Sequence, residues 1–136
     1  MHRPCFLVID REREGNISTR KLVIETAKLN VITAYSGAES VELLRRFPAV
    51  DAIVLDAGMP DMPCADIIRE LKQVKASTPV IAIGAAAESR CEQADYILRS
   101  FEPAKLLDFL RNLLPDAAQV TRAEEQTQEQ MAKEPS

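Results

Sequence analysis

The chain has no tryptophan, one histidine and only 4% aromatic residues in 136 positions. Any core built from it must therefore be aliphatic. The single histidine is His2, at the end of the chain, so a histidine metal site or a Cys/His nucleophile has no second group to work with. Cysteine is also scarce. Cys5, Cys64 and Cys91 are an odd number with no Cys-x-x-Cys pair, and they read as buried or incidental thiols of a cytosolic chain. Long apolar runs are missing: Val80 to Ala87 is the longest, far short of the roughly 20 residues a bilayer needs. The N-terminus lacks the extended apolar region of a secretory signal. Basic clusters are missing too. Lys plus Arg total 17 against 21 Asp plus Glu, a net charge of −4, which gives nucleic acid little to bind. These absences leave a small cytoplasmic domain with neither a nucleic acid nor a membrane as partner.

What is present is aliphatic and ordered. Apolar residues make up 46% of the chain, enough for a core. Unbroken apolar runs occur at 5–9, 52–55, 80–83 and 96–98, with a weaker one at 31–35. Such runs are what strands covered on both faces look like. Amphipathic segments alternate with them. Residues 17–29 give a moderate helix pattern, with charged residues at 20 and 21 on the apolar stripe. Ser36 and Glu39 form a capping box ahead of Val41, Leu43, Leu44 and Phe47, and Pro48 ends that helix. Residues 65–74 carry Ile67, Ile68, Leu71 and Val74. Pro103 opens a helix with Leu106, Leu107, Phe109, Leu110, Leu113 and Leu114. Five strands alternating with helices predict an α/β fold, a doubly wound parallel sheet with helices on both faces. After Ala117 the chain turns polar, so residues 1–116 read as the domain and 117–136 as a tail or linker, disordered or partly helical.

Function in such sheets gathers outside the carboxyl ends of the strands. The residues just past them are Asp10-Arg11-Glu12, Asp56, Gly84-Ala85 and Arg99-Ser100. Two carboxylates and an arginine thus meet at one rim. The segment Asp56-Ala-Gly-Met59-Pro60, with an aspartate closing a buried strand and Met-Pro three residues on, resembles the phosphoacceptor loop of response-regulator receiver domains. Asp10 after the first strand and Asp95-Tyr-Ile-Leu-Arg-Ser-Phe near the fifth strand extend the resemblance over residues 5 to about 114.

The resemblance implies a flavodoxin-like sheet of order 2-1-3-4-5 and a place in a two-component phosphorelay rather than an enzyme. It implies Asp56 as phosphoacceptor, supplied by a sensor histidine kinase or phosphotransfer protein. Mg²⁺ would be held by Asp10, Asp56 and the Gly58 carbonyl, because attack of one anion on another needs its charge neutralised. Arg99, Gly84 and Ala85 stand where the family contacts the phosphoryl group, and Tyr96 where it has a switching aromatic. A protein target, and room for a homodimer, belong to the same picture.

The departures are specific. Arg11 replaces an acid that usually touches the metal, although Glu12 follows and is a candidate to swing in. Gly84 removes the switch hydroxyl. Arg99 replaces a lysine, Ser100 a proline and Cys64 a glycine. With Arg11 and Arg99 facing Asp10 and Asp56 the site is near neutral, so Mg²⁺ is expected to bind weakly or not at all and Asp56 to be already paired. Only eleven residues, 85–95, separate Gly84 from Tyr96, so the fourth helix is expected as a stub or a loop. Two readings stay open: a receiver phosphorylated on Asp56, or a pseudo-receiver that binds proteins without phosphorylation. A haloacid-dehalogenase-type phosphatase would need a second aspartate at position 58, which is glycine.

Overall fold

A computed structural model of the chain describes residues 4–11, 19–99 and 102–113. The strands are β1 (Cys5–Ile9), β2 (Asn30–Ala34), β3 (Ala52–Asp56), β4 (Val80–Ile83) and β5 (Tyr96–Leu98). They form one parallel sheet in the order β2-β1-β3-β4-β5. The helices are α1 (Thr19–Thr26), α2 (Gly37–Arg46), α3 (Cys64–Val74), α4 (Ala87–Arg90) and α5 (Pro103–Leu113). The doubly wound order expected from the resemblance is the order found. So is the shortened fourth helix, which has four residues. The expected tail, 117–136, lies outside the described residues, as do Glu12, Ser100 and Leu114.

The sheet sorts its side chains by the two-residue period of a strand. Leu7, Ile9, Ile53, Leu55, Val80 and Ala82 face the layer of α2 and α3, against Val41, Leu44, Ile67, Ile68 and Leu71. Phe6, Val8, Ala52, Val54, Ile81 and Ile83 face α1 and α5, against Ile24, Leu106 and Leu110. Both faces are apolar because both are covered, which is why the strands read as unbroken runs. β2 sits one residue earlier than its apolar pattern. Asn30 donates to the Pro4 carbonyl, and Ala34 accepts from Asp10 N, which fixes its register on β1. Tyr35 is thereby left outside the strand and exposed.

Ser36 caps α2 by accepting from Glu39 N at 3.0 Å, one half of the expected box. The loop after β3 caps it further: Asp61 accepts from Gly37 N and Ala38 N at 2.9 and 3.2 Å. An acid at a helix N-terminus also suits the helix dipole.

The cysteines correct one expectation. Cys64 and Cys91 are not separate thiols but a disulfide, with Cα atoms 5.4 Å apart. Their sequence separation of 27 residues hides a proximity that only the fold creates, since it brings the start of α3 against the end of α4. Closing a loop of that length stabilises by roughly 3 to 4 kcal/mol in the chain-entropy account. Cys5 is the remaining free cysteine. Burial and the neighbouring Asp51 charge push its thiol up.

Asp95 ties three elements together at the opposite end of the sheet. Its Oδ2 accepts from Val80 N and from Lys72 Nζ, both at 2.7 Å. Burial pushes its carboxyl up, but the Lys72 and Val80 hydrogen bonds and the Lys72 charge outweigh this and hold it below the ordinary value. A carboxyl lowered by folding adds stability above its unfolded pKa, near 3.8, and that stability is lost as pH falls through the folded value. Urea midpoints measured between neutral pH and pH about 3 are expected to fall less steeply in Asp95→Asn than in the parent chain, with the variant less stable at neutral pH.

Candidate functional site

The carboxyl ends of β1 and β3 place Asp10 and Asp56 at the same rim, both 6% exposed. Each oxygen of Asp56 has a partner. Oδ1 accepts from Gly58 N at 2.7 Å, an aspartate bonding the backbone two residues on and so shaping its own turn. Oδ2 lies 3.4 Å from Arg11 Nε and 3.4 Å from Arg20 Nη1. The same Arg20 Nη1 lies 2.9 Å from Asp10 Oδ1. One guanidinium nitrogen thus bridges the two buried carboxylates.

Arg20 reaches them because of where α1 begins. The helix runs back antiparallel to β1, and helical side chains lean toward the N-terminus. A residue in the first described turn therefore overhangs the strand ends. Ile24, four positions on and on the same face, is fully buried. A cation near a helix N-terminus is disfavoured by the dipole, and the described part of α1 has no acid in its first turn. The strand-end aspartates supply the missing negative charge. The Arg20 side chain is 15% exposed and that of Arg11 63%, so Arg20 is the interior cation and Arg11 an outer one. Arg11 still approaches closely: its Nη1 lies 3.3 Å from where a side chain on Gly58 would begin.

The sequence singled out Asp10, Asp56, Gly58 and Arg11, and the fold brings these four together. Arg20 was missed, although a signal existed, since it is a charge on the apolar stripe of an amphipathic helix. Arg99 stands exposed just past β5. Tyr96 packs edge-to-face on Phe109 of α5, with ring centroids 5.0 Å apart, and is 39% exposed. Ala85 is exposed, and Gly84 has φ +143°. A Cβ at position 84 would lie 3.2 Å from that of Ala57. The backbone itself therefore selects against a side chain at this position: the loop after β4 has taken a path that L side chains rarely follow.

Among the described residues no group of three or more His, Cys, Asp or Glu is placed to hold a metal ion, and no helix is long and apolar enough to cross a membrane. A family model, response regulator receiver domain, matches residues 6–111. The chain belongs to this family. Receiver domains are signalling modules. Similar proteins include the response regulator SaeR of Staphylococcus aureus, 28% identical over 116 residues. That match takes in 80% of this chain and 50% of SaeR, so the chain spans about half the length of the curated relatives it matches.

Solved structures with the same fold include the receiver domain of the sensor histidine kinase PA1611 from Pseudomonas aeruginosa, with magnesium coordinated in its active-site cleft. Its TM-score is 0.71 at 21% identity, over 82% of this chain and 97% of that one. CheY in the CheX-CheY-BeF3-Mg complex from Borrelia burgdorferi is a second, with TM-score 0.70 at 20% identity over 81% and 88%. Vibrio cholerae CheY4 is a third, with TM-score 0.70 at 22% identity over 83% and 100%.

Placing a β-branched hydroxyl residue at position 84 tests the loop. Gly84→Thr is expected to cost about 1 to 3 kcal/mol from backbone strain, read as a lower urea midpoint with an unchanged slope. Equal stability would mean that the loop relaxes freely.

Proposed function

We propose that this receiver domain acts as a pseudo-receiver: a protein-interaction module whose output does not depend on phosphorylation of Asp56. The observation that carries this reading is the Arg20 guanidinium, 2.9 Å from Asp10 and 3.4 Å from Asp56. A receiver uses a divalent cation between such carboxylates to let an anionic donor approach and to bind the transferred group. Mg²⁺ demands near-octahedral oxygen coordination. Here the two carboxylates share a guanidinium and Asp56 Oδ1 is engaged by Gly58 N, so the residues as placed do not fit that ion. Charge neutralisation comes from the protein itself, through a group that offers donors but no exchangeable coordination site.

Two further features support the reading. Gly84 brings neither a hydroxyl nor a backbone suited to one. α4, part of the surface through which receivers commonly meet targets, is reduced to one turn. Transmission of a signal needs two states whose energies differ with phosphorylation, and both usual responding parts are curtailed. The module would work in the cytoplasm, meeting a histidine kinase or phosphotransfer protein through the receiver surface and passing on to a protein target. No catalytic activity and no nucleic-acid contact of its own enter this reading.

The phosphoacceptor reading keeps one observation in its favour. Asp56 still ends β3 beside Asp10, with Met59-Pro60 in the loop behind it. Incubation with acetyl phosphate, with and without Mg²⁺, followed by intact-mass measurement separates the two. The pseudo-receiver reading predicts no added mass under either condition. A gain of one phosphoryl group in the parent chain that vanishes in Asp56→Asn would replace it with the phosphoacceptor reading.

A further inference from the structure

The disulfide lies where a receiver's moving parts are found. Cys64 is the first residue of α3, and Cys91 caps the end of α4. A helix of four residues has no stability of its own. α4 is held by Arg90 N and Cys91 N bonding back to the Ala86 and Ala87 carbonyls, by the buried Ala87 methyl and by the covalent tie to α3. Between β3 and α3 lies an open cleft of about 460 Å³, lined by Ala57, Met59, Pro60, Asp61, Cys64 and Arg90 among others. Cys64 is 4% exposed and lines it, whereas Cys91 is 0% exposed. One residue of the pair thus lines the cleft that follows β3 and the other is sealed.

We propose that Cys64–Cys91 is a thiol–disulfide exchange site, entered at Cys64 from this cleft by a small thiol carrying carboxylates, and that opening it releases the segment 85–95 from α3. The cleft lining carries one cation, Arg90, and one acid, Asp61, whose oxygens are taken up by Gly37 N and Ala38 N; Arg90 is the group that meets a carboxylate of the incoming thiol. The thiolate of the incoming molecule forms a bond to Cys64 Sγ as the Cys64–Cys91 bond breaks. Cys91 leaves as a thiolate and takes a proton from water. A second molecule of the same thiol attacks the sulfur of the first, and Cys64 leaves in turn and is protonated. Two small thiols become one disulfide, and the protein disulfide becomes two thiols. The oxidised small disulfide reverses the sequence.

Cys64 begins an 11-residue helix, an end that generally favours negative charge, with Asp66 in the same turn opposing it. Cys5 does not compete, being held toward its protonated form by burial and Asp51. The inference rests on the cytoplasmic part of the reading above, since a disulfide in a reducing compartment is ordinarily a transient or sensing one. It is independent of whether Asp56 takes a phosphoryl group. With the phosphoryl switch curtailed, the bond offers the same surface a chemical input of another kind.

The test uses the oxidised full chain with reduced glutathione under native conditions, with acid quenching, alkylation and intact-mass thiol counting over time. The rate at which two new thiols appear is expected to rise in proportion to glutathione concentration. Amide exchange in 85–95 is then expected to rise about tenfold or more while β1 and β3 stay protected. With oxidised glutathione, Cys91→Ser is expected to form a mixed disulfide on Cys64, and Cys64→Ser none on Cys91. A reduction rate independent of glutathione, set instead by global unfolding, would overturn the proposal. So would exchange in 85–95 that does not change on reduction. If the cysteine variants do not fold, the concentration dependence in the parent chain decides. None of these readouts involves phosphoryl transfer, so their failure is distinct from failure of the pseudo-receiver reading.

Discussion

Everything at the functional rim depends on one arginine lying between two aspartates. Two carboxylates removed from water at neighbouring strand ends repel each other and lose hydration. A cation between them offsets both costs. Arg20 does this with a single nitrogen, 2.9 Å from one and 3.4 Å from the other. Removing one partner of a buried ion pair typically costs 3 to 5 kcal/mol, because the remaining charge is left uncompensated. The arrangement is therefore self-sustaining, and a metal ion would have to displace a cation that the chain carries permanently.

That constraint spreads outward. At the same end of the sheet, the loop after β4 takes a positive-φ path at Gly84. The connection from β4 to β5, residues 84–95, holds a single four-residue helix. That connection is held near its middle by the covalent bond to α3, and at its far end by the Asp95 link between Lys72 and Val80. The scaffold keeps the family's sheet while its working surface is stabilised by different contacts.

The fold was legible in the sequence because its signals are local and repeated. Apolar runs at 5–9, 52–55 and 80–83 are unbroken because both faces of the sheet are covered. The eleven residues between Gly84 and Tyr96 are too few for a full helix and a loop. Asp10, Asp56 and Arg11 were legible because strand ends mark the rim. Arg20 was harder. A charged residue in a helix usually faces water, and only its position four residues before buried Ile24 marks it as facing inward. The disulfide was not legible at all, since nothing in the spacing of three cysteines shows that α3 and α4 meet. Likewise the glycine at position 84 is visible in the sequence, but its positive φ and its closeness to Ala57 are not.

The place of Arg20 can be measured directly with a paramagnetic stand-in for the metal. Mn²⁺ titrated into the parent chain and into Arg20→Ala, with amide line broadening followed by NMR, reports whether a divalent ion reaches the rim. No selective broadening is expected around Asp10, Asp56 and Gly58 in the parent chain, and strong broadening is expected there in Arg20→Ala, where two buried carboxylates lose their bridging cation. Saturable broadening at those amides in the parent chain at sub-millimolar Mn²⁺ would contradict it.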